Sequence, residues 1–204
     1  MLTKQQFRIL SVFKKQLFAS LTFRQVKEQS RQRSNNIVQL ALREFQEQGV
    51  VKASGIGNVK TYTLNLENNR TIACLNLINE FELKGKRLPR EVLSEIQGRI
   101  LRQTEFFILI VFGSYAKNKA TGASDLDVAV IVESEQRKKE VVPLLETVKR
   151  RELRQVDYHP FTRSEFAEML AADSENLGKQ IYKNSFVYYG YEAYCRFIMA
   201  VHHA

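Results

Sequence analysis

Apolar residues recur at helical spacing in the first quarter of the chain. Residues 4–18 place Phe7, Leu10, Phe13, Leu17 and Phe18 on one stripe, which predicts an amphipathic helix rather than a signal peptide. The next residues predict a second helix over 22–30, with Thr22 as its N-cap, and a third helix that starts after Ser34 and ends at Gly49. The predicted core face of the third helix consists of Ile37, Leu40, Ala41 and Phe45, with Leu42 as a further candidate.

Two β-prone runs follow the third helix, VVKAS and VKTYTLN, and Gly55-Ile56-Gly57-Asn58 is predicted to form the turn between them. Three helices followed by such a hairpin resemble a winged helix-turn-helix domain, and the resemblance covers residues 1–66. In that domain the third helix enters the major groove of DNA and the hairpin contacts the DNA backbone.

The charge distribution favours DNA over other partners of such a domain. Residues 1–66 hold 11 Lys or Arg and 3 Glu, whereas residues 67–204 hold 20 Lys or Arg and 19 Asp or Glu. A concentrated basic patch is what binding to a phosphate backbone requires. Solubility and a protein–protein contact are the alternative uses of this segment. The predicted DNA-binding residues are Asn35, Asn36, Gln39, Arg43 and Gln46 for base edges, and Arg31, Arg33, Lys52 and Lys60 for phosphates.

The remaining chain alternates helical and strand patterns. Residues 67–89 predict a helical linker, and Pro89 is expected at the first position of the next helix. Continuous apolar runs predict buried strands in FFILIVFG and DLDVAVIV, and a third strand, LRQVDYHPF, is expected to close at Pro160. Further predicted elements are helices over 136–150, 163–171 and 174–183, a short strand in SFVYYG and a final helix. The prediction is an α+β protein with two domains, residues 1–66 and 90–204.

Acidic residues mark the second of these strands. Asp125 and Asp127 alternate along it, so both side chains project from one face, about 6.5 to 7 Å apart. Two carboxylates at the start of a buried strand are costly unless a cation compensates them, and oxygen ligands suit Mg²⁺. Asp157 lies mid-strand, where aspartate is disfavoured, and joins the pair if its strand lies alongside. Three carboxylates can hold two metal ions, with Asp157 assisting the attacking oxygen as a base.

Gly113 and Ser114 follow the first buried strand. A strand that ends in Gly-Ser before a helical turn presents backbone N–H groups to an anion, and Lys117 and Lys119 add positive charge nearby. The alternative is a simple turn. Asp125 has the alternative role of capping a turn after Ser124, and Asp157 that of pairing with a cation such as Arg154.

The sequence contains Gly113-Ser114, then ten residues, and then Asp125-Leu126-Asp127. This pattern resembles the signature of the minimal nucleotidyltransferases in the DNA polymerase β-like superfamily. The resemblance covers about residues 90–190 and implies a mixed sheet flanked by helices, two Mg²⁺ ions and a nucleoside triphosphate. It implies that Gly113 and Ser114 bind the triphosphate and that Asp125, Asp127 and Asp157 ligate metal. The family often has Arg soon after Gly-Ser, whereas this loop reads Tyr-Ala-Lys-Asn-Lys.

Single-domain relatives act as antitoxins that adenylylate a tyrosine of a partner protein, so the resemblance implies transfer of AMP from ATP to a protein hydroxyl, or to a small molecule. A toxin-type partner and a homodimer are expected with it. The alternative is a DNA-binding regulator whose second domain binds nucleotide or a partner without catalysis. Only two cysteines and no membrane-spanning run are present, so a cytoplasmic protein without disulfides or zinc is expected.

Overall fold

The computed structural model describes residues 2–57, 59–122, 124–152 and 155–203. The chain divides into two units, Met1–Glu80 and Phe81–Ala204. The division falls inside the segment expected to be a helical linker, and the domain ends at residues 66 and 90 stay predictions. In the ranges described, none of the helices combines the length and the hydropathy that crossing a membrane demands.

Three helices and a three-stranded sheet make up most of the first unit, followed by a helix that ends in the second unit. These elements are α1 (Lys4–Lys14), β1 (Leu21–Thr22), α2 (Phe23–Gln29), α3 (Asn35–Glu47), β2 (Val51–Ile56), β3 (Val59–Leu64) and α4 (Asn69–Lys84).

Local capping chemistry explains where α2 and α3 begin. The Thr22 hydroxyl accepts a hydrogen bond from the N–H of Gln25, and Ser34 caps α3 in the same way. Gly49 follows the last turn of α3 with a φ of 68°, which glycine adopts without steric cost. Both predicted caps and the predicted stop are confirmed. By contrast, α1 ends at Lys14, earlier than predicted.

The buried face of α3 differs from the predicted one. Its buried residues are Val38, Ala41, Leu42 and Phe45. Ile37 and Leu40 are 36% and 46% exposed, so their assignment to the core was wrong. Residues 38, 41, 42 and 45 share one helical face, whereas positions 37 and 40 project from another, so α3 carries more apolar residues than its core stripe can bury.

The sheet of the first unit has the order β1-β3-β2, and both pairs are antiparallel. Leu21 pairs with Tyr62, and Val51 pairs with Leu64. Strand β2 runs on to Ile56, so the connection between β2 and β3 is tighter than the four-residue turn predicted. Asn58, which was part of that turn, lies outside the described residues.

A single mixed sheet organises the second unit. Its elements are α5 (Arg90–Leu101), β4 (Phe107–Val111), α6 (Gly113–Ala116), β5 (Leu126–Val132), α7 (Glu135–Arg151), β6 (Val156–Thr162), α8 (Arg163–Ala171), α9 (Leu177–Lys183), β7 (Phe186–Tyr189) and α10 (Tyr191–His203). The strand order is β6-β5-β4-β7, with β5 and β6 parallel and the other pairs antiparallel. The mixed sheet is as the family resemblance implied.

The two central strands form the core of this unit. All five residues of β4 are buried, and in β5 every residue is buried except Asp127. Buried side chains of α5 and α7, including Leu93, Ile96 and Leu145, belong to the same hydrophobic cluster as these strands. The hydrophobic core of this unit therefore lies around β4 and β5, and Asp127 is the one polar residue within these two strands.

Two prolines lie elsewhere than predicted. Pro89 is the N-cap of α5 and not its first helical residue. Pro160 lies inside β6 rather than at its end. The N–H of Leu126 donates to the carbonyl of Gln155, and the alternation along a parallel strand then turns the backbone of Pro160 away from β5. Since β6 is an edge strand, no sheet hydrogen bond is lost there.

Candidate functional site

The register of β5 and β6 brings two of the predicted acidic residues together. Asp127 is paired directly with Asp157 across the parallel strands. Paired residues of neighbouring strands lie about 4.8 Å apart and point to the same face. Both side chains are half-buried, so the two carboxylates lie side by side on one partly covered face of the sheet.

The charges around Asp127 disfavour its ionised form. Burial raises the pKa of the Asp127 carboxyl, and the negative charges of Asp157 and Asp125 raise it further. The nearby His159 side chain and a hydrogen bond from the backbone N–H of Ser114 act in the opposite direction and lower this pKa. A cation placed between Asp127 and Asp157 would relieve this repulsion.

Asp125 takes a more peripheral position than its partner in the Asp-x-Asp motif. It lies one residue before β5 begins, and its side chain is exposed. Its negative charge acts on Asp127 from there.

The Gly113-Ser114 bend packs directly against Asp127. The N–H of Phe112 donates to the carbonyl of Asp127 at 3.1 Å, which carries the β4–β5 pairing up to the bend. Gly113 then adopts a φ of 66°, and a Cβ at this position would collide with Oδ2 of Asp127. The glycine is thus required twice, for its backbone conformation and for the close approach of the carboxylate. Its expected contact with a triphosphate stays a prediction.

Lys117 and Lys119 lie in the loop that follows the short helix α6, and both side chains are exposed. Between them Asn118 adopts a φ of 55°, and its side-chain oxygen accepts a hydrogen bond from Lys86 at 2.8 Å. The contact places a further lysine, which sequence analysis passed over, beside the predicted phosphate-binding loop.

Lys149 was also missed. Its Nζ lies 3.5 Å from Oδ1 of Asp157. The contact depends on how α7 packs against β6, so the local sequence around Lys149 does not predict it. Arg154, the partner considered for Asp157, lies outside the described residues.

His159 is a second residue near Asp127 and Asp157 that the sequence analysis did not single out. It follows Asp157 by two positions on β6, so the two side chains share one face. Its ring lies 5.5 Å from the ring of Phe112, next to the Gly113-Ser114 bend. The alternation of side chains along a strand could have placed His159 on the same face as Asp157. That Asp127 lies beside them on β5 follows only from the register of the two strands.

The donor chemistry around Asp127 suits a hard divalent cation. Carboxylate oxygens are the ligands that Mg²⁺ prefers, and it usually takes one or two of them together with water and substrate phosphates. Over the ranges that the structure describes, no group of three or more His, Cys, Asp or Glu side chains is assembled to hold a metal ion.

The first unit brings several predicted DNA-binding residues to one groove. Side chains of α3 form one wall of it, and Lys60 and Tyr62 of β3 form the other. The groove is lined by Phe23, Asn35, Gln39, Arg43, Gln46, Lys60 and Tyr62. Asn36 is exposed on the outer side of α3.

The other predicted phosphate contacts differ in their surroundings. Lys52 forms an ion pair with Glu67 at 3.2 Å. Arg33 is exposed. Arg31 follows α2 with a φ of 55°, a conformation that favours glycine. The N–H of Arg31 bonds to the carbonyl of Glu28, and that of Gln32 bonds to the carbonyl of Lys27, the pattern of a Schellman ending.

Comparison with known proteins supports the interpretation of the second unit. Residues 95–186 match the family model described as Polymerase beta, Nucleotidyltransferase. This range runs from α5 to β7 and includes Gly113, Ser114 and all three aspartates. The fold and the match together support a nucleotidyltransferase domain in this part of the chain.

The other comparisons add little. No curated protein matches the chain. A solved structure of TrmBL2, described as an archaeal chromatin protein with a novel mode of DNA binding, shares 12% sequence identity over 99% of this chain and 92% of that chain. Its TM-score is 0.28, and at that score the likeness supports no conclusion about fold or function.

We predict that Gly113→Ala damages both stability and the site. A side chain in the left-handed conformation costs about 1–2 kcal/mol, and the new methyl group displaces the Asp127 carboxylate. Thermal unfolding of the variant should therefore shift to lower temperature. Gly98→Ala in α5 is the matched control, since its Cβ meets open space and alanine favours a helix by about 0.5–1 kcal/mol. Equal stability of the two variants would contradict the close approach at Gly113.

We also predict that Asp127→Asn changes how stability depends on pH. An acid whose pKa is raised by folding binds its proton more tightly in the folded state, so its ionisation destabilises the protein as pH rises. Asp127→Asn should raise the melting temperature at pH 7, and the gain should shrink towards pH 3, where the carboxyl group is protonated. Asp173→Asn, at an exposed position, is the control. A gain that is independent of pH would contradict the charge repulsion.

Proposed function

We propose that the second unit transfers a nucleoside monophosphate, AMP from ATP, to the hydroxyl group of an acceptor, and that two Mg²⁺ ions assist. The observation that carries this proposal is the pairing of Asp127 with Asp157 beside the Gly113-Ser114 bend. It lies inside the part of the chain that matches the nucleotidyltransferase family model.

Asp125, Asp127 and Asp157 would hold the metal ions, which when bound supply positive charge to the triphosphate. Asp157 is the candidate base, because it lies on the edge strand and its carboxylate is half-buried. The acceptor oxygen forms a bond to the α-phosphorus while the bond between that phosphorus and the bridging oxygen breaks. Pyrophosphate leaves with the electron pair, and the hydroxyl proton passes to the Asp157 carboxylate.

The triphosphate would lie against the Gly113-Ser114 bend. In this proposal the Ser114 hydroxyl donates to a terminal phosphate, and the ammonium groups of Lys117 and Lys119 offset its negative charge. Both lysines are exposed, so they are available to a ligand that enters from solvent. Lysine contributes charge without the two-pronged geometry of arginine, so positioning of the phosphates depends on the bend itself.

The acceptor class follows from the family resemblance. A tyrosine hydroxyl of a toxin-type protein partner is the first candidate, and a small-molecule hydroxyl is the second. A homodimer is proposed with it, and a cytoplasmic location is proposed from the small number of cysteines in the sequence.

We further propose that residues 1–66 form a winged helix-turn-helix domain that binds double-stranded DNA. The groove that joins Asn35, Gln39 and Arg43 to Lys60 supports this, because it combines base-reading side chains with a phosphate-binding one. Arg31 supports it as well. The positive φ of Arg31 would suit glycine better, so an arginine at this position costs some stability. That cost favours a functional role for the Arg31 side chain, here a contact with a DNA phosphate.

A second candidate function is a DNA-binding regulator whose second unit binds nucleotide or a partner without catalysis. The ion pair between Lys149 and Asp157 favours this candidate. The lysine supplies positive charge at the carboxylate that a metal ion would otherwise neutralise.

Transfer from ATP labelled at the α-phosphate separates the two candidates. With Mg²⁺ and the proteins that co-purify from the native host, the wild type should label an acceptor, whereas Asp127→Ala should not, because it removes an oxygen donor next to the reacting phosphate. Asp173→Ala should label as the wild type does, and chelation of Mg²⁺ should abolish labelling. Wild-type protein that labels neither a protein nor a small molecule would overturn transfer and favour the regulator.

DNA binding should weaken steeply as salt rises, because each neutralised phosphate releases counterions. In a plot of log affinity against log salt concentration, Lys60→Ala should reduce the slope by about 1, the contribution of one phosphate contact. Lys84→Ala, which removes an exposed lysine from the end of α4, should leave the slope unchanged. A flat salt response of the wild type would contradict the basic-interface interpretation.

A further inference from the structure

Lys86 is held from two sides in the segment between α4 and α5. Its Nζ donates a hydrogen bond to the side-chain oxygen of Asn118 at 2.8 Å, and it lies 4.3 Å from the centre of the Phe186 ring, within the range of a cation–π interaction. The hydrogen bond joins residues 32 positions apart in the chain, so it forms only through the fold of the second unit. Lys86 precedes the residues that match the family model, 95–186, so the match says nothing about it.

The contact with Phe186 places Lys86 close to the Gly113-Ser114 bend. Phe186 is the first residue of β7 and is paired with Val111, the last residue of β4. Paired residues of neighbouring strands lie about 4.8 Å apart, and the bend follows β4 after one further residue. The Lys86 side chain therefore reaches from the sheet edge beside the bend to the loop after α6.

Asn118 determines the course of that loop. Its N–H donates to the carbonyl of Tyr115, and the N–H of Lys119 donates to the carbonyl of Ser114 at 2.9 Å. With the φ of 55° at Asn118, these bonds form a Schellman ending of α6, which holds the backbone of Lys119 against the bend. A residue other than glycine adopts this conformation at a cost, so a contact that holds the Asn118 side chain stabilises the loop.

We propose that Lys86 is a positioning residue for the triphosphate. By holding Asn118, it keeps the flanking Lys117 and Lys119 next to the Gly113-Ser114 bend. Both flanking side chains are exposed, so the backbone between them determines where their ammonium groups can reach. The inference rests on the proposed function, in which these two lysines offset the charge of the triphosphate, and it adds a residue that acts through the loop.

The affinity of the full chain for ATP in the presence of Mg²⁺ tests this role without knowledge of the acceptor, and equilibrium dialysis with labelled ATP measures it. Lys86→Met keeps the length of the side chain and removes the donor, so it should weaken ATP binding about fivefold, the effect of one hydrogen bond. Lys86→Arg can donate to the same oxygen and should bind ATP as the wild type does. Lys84→Met removes an exposed lysine at the end of α4 and is the matched control, which should have no effect.

A double-mutant cycle shows whether Lys86 acts through Asn118. Asn118→Gly removes the oxygen that accepts from Lys86 and supplies a residue suited to a positive φ, so it should weaken ATP binding as much as Lys86→Met does. The double variant should bind ATP no more weakly than either single variant, because both substitutions remove the same contact. A double variant weakened about 25-fold would mean that the two residues act independently, and would overturn the inference.

The outcomes separate this inference from the proposed function. Thermal unfolding of each variant is recorded first, and binding is compared at a temperature at which all of them are folded. Absence of ATP binding by the wild type overturns the proposed function and the inference that rests on it. Wild-type binding that Lys86→Met leaves unchanged overturns the inference alone. An equal loss in Lys84→Met overturns it too, because the loss of one positive charge would then explain the effect.

Discussion

The repulsion between Asp127 and Asp157 is the constraint around which the second unit is arranged. Parallel pairing of β5 and β6 sets the two carboxylates side by side, although every other residue of β5 is apolar and buried. A hydrophobic residue at either position would remove the cost of burying two like charges, so the pair is an exception to the apolar pattern of β5. The absence of a side chain at Gly113, the N–H of Ser114 and the ammonium group of Lys149 are local adjustments to this pair.

Much of this arrangement could be predicted, because its signals are local. Continuous apolar runs located β4 and β5, and capping side chains such as Thr22 and Ser34 located helix starts. The grouping of Asp127 with Asp157 was predicted only on the condition that their strands lie alongside, which the register now provides. Lys149 and His159 were beyond local reasoning, since their neighbours depend on strand order and helix packing.

The errors have a common physical origin. Hydrophobicity alone placed Ile37 and Leu40 in the core, but a helix packed on one side can bury only the residues of one face, and α3 carries apolar side chains on two. Likewise, proline was taken to end the strand at Pro160 because its place at a sheet edge could not be known from sequence. In both cases the missing information was which surface of an element faces the rest of the protein.

Pro160 also has a consequence for how the molecule meets others. An open sheet edge invites strands of other molecules to add to it and can lead to aggregation. Pro160 interrupts the row of donors on the free side of β6, so such an added strand would lack a hydrogen bond three residues from Asp157. Pro160 thereby disfavours the addition of a foreign strand to this side of the sheet.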